Sequence, residues 1–264
     1  MNFNRIIKEL KVSLLYKKQQ ANKDNETLVN REDLIPLSSA WEDNSIAGKQ
    51  KIVVDKQLEN YREGYLDPVF KSLIDTLNQL SLKDYSLLDA ACASGYYSLI
   101  LQSEFGGKFR YTGCDYSEGM VEMAKSSYPK YNFSKQDITS LSFSNLHFET
   151  LLMSGVLEHI PNYELAISEA CRVASKYVIL HRCLVSGKDE NIYSTGFLYH
   201  IKTPRIYYSL TILEREFLKN GFKLINTIRS EAYQGFINKT KLFIKKYILR
   251  RRFGIEYTYT FQRL

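Results

Sequence analysis

Three acids stand where a strand would hand over to a loop: Asp89, Asp115 and Asp137. The first opens Asp89-Ala90-Ala91-Cys92-Ala93-Ser94-Gly95, a run of small residues over which a ligand can lie close to backbone. A dinucleotide site wants G-x-G-x-x-G, whose glycines admit a pyrophosphate. The matching positions here are Ala91, Ala93 and Tyr96, and an acid beside the loop opposes phosphate, so nicotinamide and flavin binding are disfavoured. An ammonium group would instead be attracted by Asp89. Asp115 follows Gly95 by 20 residues, where an acid accepts hydrogen bonds from a ribose diol. Asp137 stands in reach of an adenine amino group. Ammonium, ribose and adenine, in that order, describe S-adenosylmethionine. Asp89 and Asp115 also read singly as helix caps, so the assignment rests on order and spacing together.

The elements that must position these acids alternate. Short apolar runs at 85–90, 110–114, 131–135, 150–154 and 177–181 read as strands, with helical patterns through 101, at 118–126 and at 164–174 between them. Late strands are expected at 222–228 and 257–262. Strands separated by helices predict an α/β, Rossmann-like doubly wound sheet, whose ligands sit beyond the carboxyl ends of the strands. N-terminal helices precede it. Phe3, Ile7, Leu10 and Leu14 form one stripe, and Val69, Leu73 and Leu77 line a helix that Pro68 opens. The expected division is a basic amphipathic helix and polar linker (1–35), a helical cap (36–82) and a core (83–264). The core carries an irregular aromatic lid at 184–210 and a basic insert at 239–252.

The strings LLDAACASGYYSLIL, YTGCDYSEGMVEMAK, DITSLSF and LLMSGVLEHIPNYELAISEACRVASKYVILH resemble, in order, the motifs of class I S-adenosylmethionine-dependent methyltransferases of the type 11 kind. The resemblance covers roughly residues 85–182 and implies a seven-stranded sheet with its last strand antiparallel. Carried over by position, it implies that Asp89, Ala91, Ala93 and Gly95 hold the methionine part and that Asp115 and Tyr116 lie at the ribose. Asp137 and Ile138 would hold the adenine, with Ser154 facing the reactive sulfur. Two of the usual three loop glycines are Ala91 and Ala93, and alanine disfavours positive φ, which leaves a degenerate site as an alternative.

Methyl transfer from a sulfonium is an in-line displacement, and a hydroxyl acceptor gains from a general base. His159, just past the fourth strand, and His181, at the end of the fifth, lie on the ligand edge and are the candidate bases. Each also reads as a structural histidine: His159 as a loop anchor, His181 as a buried ring bonded to backbone. His147 reads as surface, and His200 falls in the lid. No cluster has metal-ligand spacing, so no metal is expected. Met153-Ser154-Gly155-Val156 lacks the Asn/Asp-Pro-Pro-aromatic box of resembling amino-methyltransferases. CASGYYS and SKYVILHR are similar to methyltransferases associated with bacterial surface-glycan synthesis. The expected activity is therefore methylation of a small-molecule or glycan acceptor, at a hydroxyl. An RNA or other N-methyltransferase and a binding protein without turnover are the alternatives.

With 44% hydrophobic and 25% charged residues the chain has enough apolar content for a sizeable core, and no run approaches a membrane span. No secretory signal is legible, and four cysteines without a CxxC pair fit a reduced, cytoplasmic setting. The net charge of +7 is unevenly placed. Residues 1–20 hold five bases and one acid. Residues 239–252 hold Lys239, Lys241, Lys245, Lys246, Arg250, Arg251 and Arg252 and no acid, so the rest is mildly acidic. Specific nucleic-acid binding is not expected. The basic stretch, with Leu242, Phe243, Ile244, Tyr247, Ile248 and Leu249, reads as an amphipathic helix that either packs on the core or attaches peripherally to an anionic inner membrane face, with RNA phosphate as competing partner.

Overall fold

A computed structural model describes residues 26–43, 45–229 and 255–264. The stripe at 3–14 and the basic insert at 239–252 lie outside the described residues. Seven strands, β2 (Ser86–Ala90), β3 (Arg110–Asp115), β4 (Asn132–Lys135), β5 (Phe148–Ser154), β6 (Ala174–Val185), β9 (Phe222–Arg229) and β10 (Ile255–Arg263), form one sheet in the order β4-β3-β2-β5-β6-β10-β9. Pairings from β4 to β6 are parallel, whereas β10 runs antiparallel to both its neighbours. Strand order reverses at β2, which has β3 on one side and β5 on the other. The expected ligand edge therefore lies over the ends of β2, β3 and β5.

Alternation along the strands splits the core into two layers. Leu88, Ala90, Leu151, Met153, Val178 and Leu180 pack with Ile167 of α5 (Tyr163–Val173) and Phe217 of α6 (Leu210–Lys219). Leu87, Leu152 and Ile179 face the other way, against α1 (Ser45–Arg62), α2 (Pro68–Asn78), α3 (Tyr97–Phe105) and α4 (Glu118–Ser127). The sequence expectation for α2 holds in detail. Pro68 opens it, Asp67 caps it by accepting the Val69 N–H at 2.9 Å, and Leu73 and Leu77 are buried. The approach to β2 is fixed by a buried acid, Glu149, which accepts the backbone N–H groups of Lys83, Asp84 and Tyr85 at 2.7–3.0 Å.

Two expectations are corrected. The segment 184–210 is not irregular: β7 (Ile192–Leu198) and β8 (Ile201–Tyr207) form an antiparallel hairpin that leaves β6 and returns to it through the Tyr208 N–H and the Leu184 carbonyl. Its strands are rich in β-branched and aromatic residues, but Gly196 and Pro204 interrupt them and the turn is Tyr199-His200 rather than Asn-Gly. The polar linker is likewise partly structured. β1 (Thr27–Leu28) adds a third strand beside β7, and Glu26 accepts hydrogen bonds from Arg205 and Tyr207 at 2.7 and 2.8 Å. A 3-10 helix, Glu32–Glu42, then leads into α1.

Candidate active site

The loop after β2 has the backbone of a glycine loop without its glycines. Ala91, Ala93 and Gly95 all lie at positive φ, +67°, +50° and +76°. Each alanine bears a strain of about 1–2 kcal/mol for that conformation. At Gly95 no side chain fits, because a Cβ would lie 2.8 Å from the Phe133 ring and 3.1 Å from Ala124. Gly113 on β3 lets the loop descend onto the sheet, since a Cβ there would meet the Cys92 Sγ at 2.8 Å. The Cys92 N–H donates to the Cys114 carbonyl at 2.9 Å, and the Ala93 N–H donates to Asp115 Oδ2 at 2.8 Å.

Asp115 thus clamps the loop. Its Oδ1 also accepts the Ser117 N–H at 2.9 Å, so the capping and ligand readings coexist in one side chain. A carboxylate has about four lone-pair sites, which leaves two for a ribose diol. Asp89 lies beneath the loop, wholly buried. The Tyr111 hydroxyl donates to its Oδ2 at 2.6 Å, Oδ1 has no partner among the described residues, and burial pushes its pKa up to about 7. In this conformation its influence on a ligand ammonium runs through its field, not through contact.

Asp137 is exposed past β4, its Oδ1 accepting from the Thr139 N–H and hydroxyl, while Ile138 beside it is buried. Tyr116 is partly exposed and donates its hydroxyl proton to Glu42 at 2.8 Å. Ile46 and Ala47 of α1 pack with Met120 beside Ala93, so the N-terminal helices cover the loop. Trp41, Glu42 and Ile46 carried no sequence signal, because their role comes from tertiary packing across the loop. The residues present fit S-adenosylmethionine: a turned small-residue loop, an acid with free lone pairs at the ribose position, and an exposed acid beside a buried apolar residue.

The end of β5 and the stretch of β6 beside it hold the other half of the site, with His181 inside β6 rather than at the strand end expected from the sequence. Ser154 Oγ and the Tyr97 hydroxyl lie 3.0 Å apart, and Ser154 pairs with His181 across the strands. His181 is buried. Its Nδ1 meets the Thr258 Oγ1 at 2.8 Å, its Nε2 has no partner among the described residues, and burial drives its pKa down to about 3, keeping the ring neutral. His159 donates from Nδ1 to the Pro204 carbonyl at 2.8 Å under the Trp41 ring, which ties β5's exit loop to the hairpin. Its pKa is also driven to about 3 by burial. Glu158 beside it is buried and pushed up to about 7, again by burial. His147 bonds Ser144 at an exposed position, and His200 holds the hairpin turn, so neither joins the site.

Residues 87–176 match the family model described as a methyltransferase domain. The chain is 28% identical over 106 residues to a demethylmenaquinone methyltransferase of Staphylococcus epidermidis, covering 39% of this chain and 43% of that protein. For the Staphylococcus aureus protein of the same name the values are 29% over 94 residues, 34% and 39%. The chain thus spans less than half the length of these curated relatives. Among solved structures, a magnesium protoporphyrin IX methyltransferase from Synechocystis with bound S-adenosylmethionine superposes with a TM-score of 0.51 at 17% identity, over 80% of this chain and 84% of that one. An S-adenosylmethionine-dependent methyltransferase from Clostridium acetobutylicum gives 0.55 at 13% identity, over 82% and 98%. The fold is that of the class I S-adenosylmethionine-dependent methyltransferases. The segment running from β2 to the start of β6 is the part that matches a methyltransferase domain.

Proposed function

We propose that this chain binds S-adenosylmethionine across the 91–95 loop and transfers its methyl group to a hydroxyl of a small-molecule or glycan acceptor. The observation that carries the reading is the left-handed backbone at Ala91, Ala93 and Gly95, clamped by Asp115. Bound S-adenosylmethionine supplies an electrophilic methyl on a sulfonium, whose carbon–sulfur bond breaks as the new oxygen–carbon bond forms. Asp115 and Asp137 hold the nucleoside, and the Ser154–Tyr97 pair orients the acceptor. We assign the hydroxyl proton to His181, whose Nε2 has no partner among the described residues; the burial that holds its pKa at about 3 makes it a weak base. His159 is a positioning residue that holds the exit loop against β8, and Trp41 and the hairpin exclude water. Demethylmenaquinone and magnesium protoporphyrin IX, the acceptors in the relatives' names, are small molecules and support one here.

The basic segments 1–20 and 239–252 supply peripheral attachment to an anionic membrane face. No helix among the described residues is long and apolar enough to cross a membrane. Salt-sensitive binding to phosphatidylserine vesicles and not to RNA tests that attachment. The activity is tested by incubating the protein with methyl-labelled S-adenosylmethionine and fractionated extracts. Label is expected in a small-molecule or glycan fraction, in a base-stable linkage. Label in RNA would support an N-methyltransferase, and binding without transfer to any fraction would make the chain a binding protein.

A further inference from the structure

Arg182 has a backbone its position in the sequence does not explain. It lies inside β6, yet its φ is +58°, a region that side chains avoid. The ladder with β10 shifts register opposite it, between Tyr257 and Tyr259, so Arg182 sits on a bulge. Bulges re-aim side chains, and strained backbone of this kind gathers at functional sites. This one sends the guanidinium back over the end of β5. Gly155, itself at φ +58°, makes room, since a Cβ there would lie 3.3 Å from Arg182 Nη1.

The guanidinium is loosely held on a side chain that is 36% exposed. Its Nε reaches Glu256 Oε2 at a long 3.4 Å, and Nη1 and Nη2 have no partner among the described residues. Arg205 nearby has its own counter-ion, Glu26, at 2.7 Å. Burial pushes Glu158, the other facing acid, up to about 7, so near neutral pH it offsets the charge only in part. The walls are aromatic: the Tyr96 and Tyr97 rings pack at 4.5 Å, and Arg182's charge is felt by both and by Tyr199. Tyr199 and His200 both have positive φ, so the hairpin tip accepts the same kind of strain to hold a tyrosine beside this charge.

We propose that Arg182 is a specificity-determining residue that grips an oxyanion of the acceptor, a carboxylate or a phosphate, through its Nη1–Nη2 edge. A planar fork matches either group bidentately, and the Nη1–Nη2 edge is separate from the Nε that reaches Glu256. The acceptor is then an acidic molecule. This rests on the methyltransferase reading of the same loop.

The test is calorimetric titration of the full chain, with and without S-adenosylhomocysteine, using benzoate, phenyl phosphate and benzyl alcohol as probes. At least one of the two anions is expected to bind the wild type, and the tighter one names the acidic group. Arg182→Met should weaken that anion about tenfold or more, and Arg182→Lys should weaken it less. Glu256→Gln should tighten it severalfold by removing the competing charge, and benzyl alcohol should respond to none of the three. A purely structural ion pair predicts the reverse for Glu256→Gln, with both partners weakening binding together. That result, equal anion binding by Arg182→Met in a folded variant, or no anion binding by the wild type would overturn the proposal. Failure of the underlying reading shows separately, as absent S-adenosylhomocysteine binding by the wild type.

Discussion

Ala91→Gly and Gly95→Ala change the same loop by one methyl group in opposite directions. Both positions hold left-handed backbone, at +67° and +76°. Ala91→Gly relieves roughly 1–2 kcal/mol of strain and gives back about 0.4–1 kcal/mol through the freer unfolded chain. A net gain of about 0.5 kcal/mol remains, which raises Tm by roughly 1–2 °C for a chain of this size. Gly95→Ala meets the same strain and also drives a Cβ to 2.8 Å from the Phe133 ring. Overpacking adds about 1–3 kcal/mol, for a total loss of roughly 3 kcal/mol and a drop of roughly 6–12 °C. The assay is urea and thermal unfolding of the two variants with the wild type. If Ala91→Gly destabilises the protein as much as Gly95→Ala does, alanine is at ease there. The left-handed loop, and the cofactor geometry built on it, would then be refuted.

Four further outcomes are expected. Glu149→Gln weakens the acceptor of three backbone N–H groups and should cost about 1.5–3 kcal/mol in urea unfolding, the range for bonds to a charged group. Asp89 is protonated more readily folded, at about 7, than unfolded, near the ordinary 3.8, so its penalty is absent below the unfolded value, grows as pH rises between the two and is constant above. His181 has the opposite sign: held neutral down to about 3, it takes stability away as pH falls below its ordinary 6.5. Asp89→Asn should therefore make stability rise more steeply from pH 4 to 7 than in the wild type, and His181→Gln should make it rise less. Replacing Tyr199-His200 by Asn-Gly should stabilise the hairpin turn in thermal melts while raising KM for the acceptor, since the turn relaxes and the aromatic wall is lost.

The sheet was legible because its signals are local. Leu87-Leu88 and Leu151-Leu152-Met153 read as buried strands by composition alone, and Pro68 announced α2. Asp115 was legible as an acid at a strand end, but not that it would serve the loop, the helix cap and the ligand position at once. The hairpin is hidden in the sequence because Gly196 and Pro204 interrupt its strands and its Tyr-His turn lacks the Asn-Gly signal. Its pairing with β1 joins residues more than 160 positions apart. Arg182 was invisible for a different reason. A bulge inside a strand depends on the partner strand's register, and nothing in SKYVILHR encodes the shift opposite it.

The central claim, that the 91–95 loop with Asp115 is a working S-adenosylmethionine site, is tested most directly by calorimetry with S-adenosylmethionine and S-adenosylhomocysteine on the wild type and on Asp115→Asn. The account predicts micromolar binding by the wild type. It also predicts a loss of about tenfold or more in the variant, from an unsatisfied ribose hydroxyl worth about 1–3 kcal/mol, with the variant still melting cooperatively. A folded wild type that binds neither ligand would contradict it and leave the alanine loop a relic of the fold.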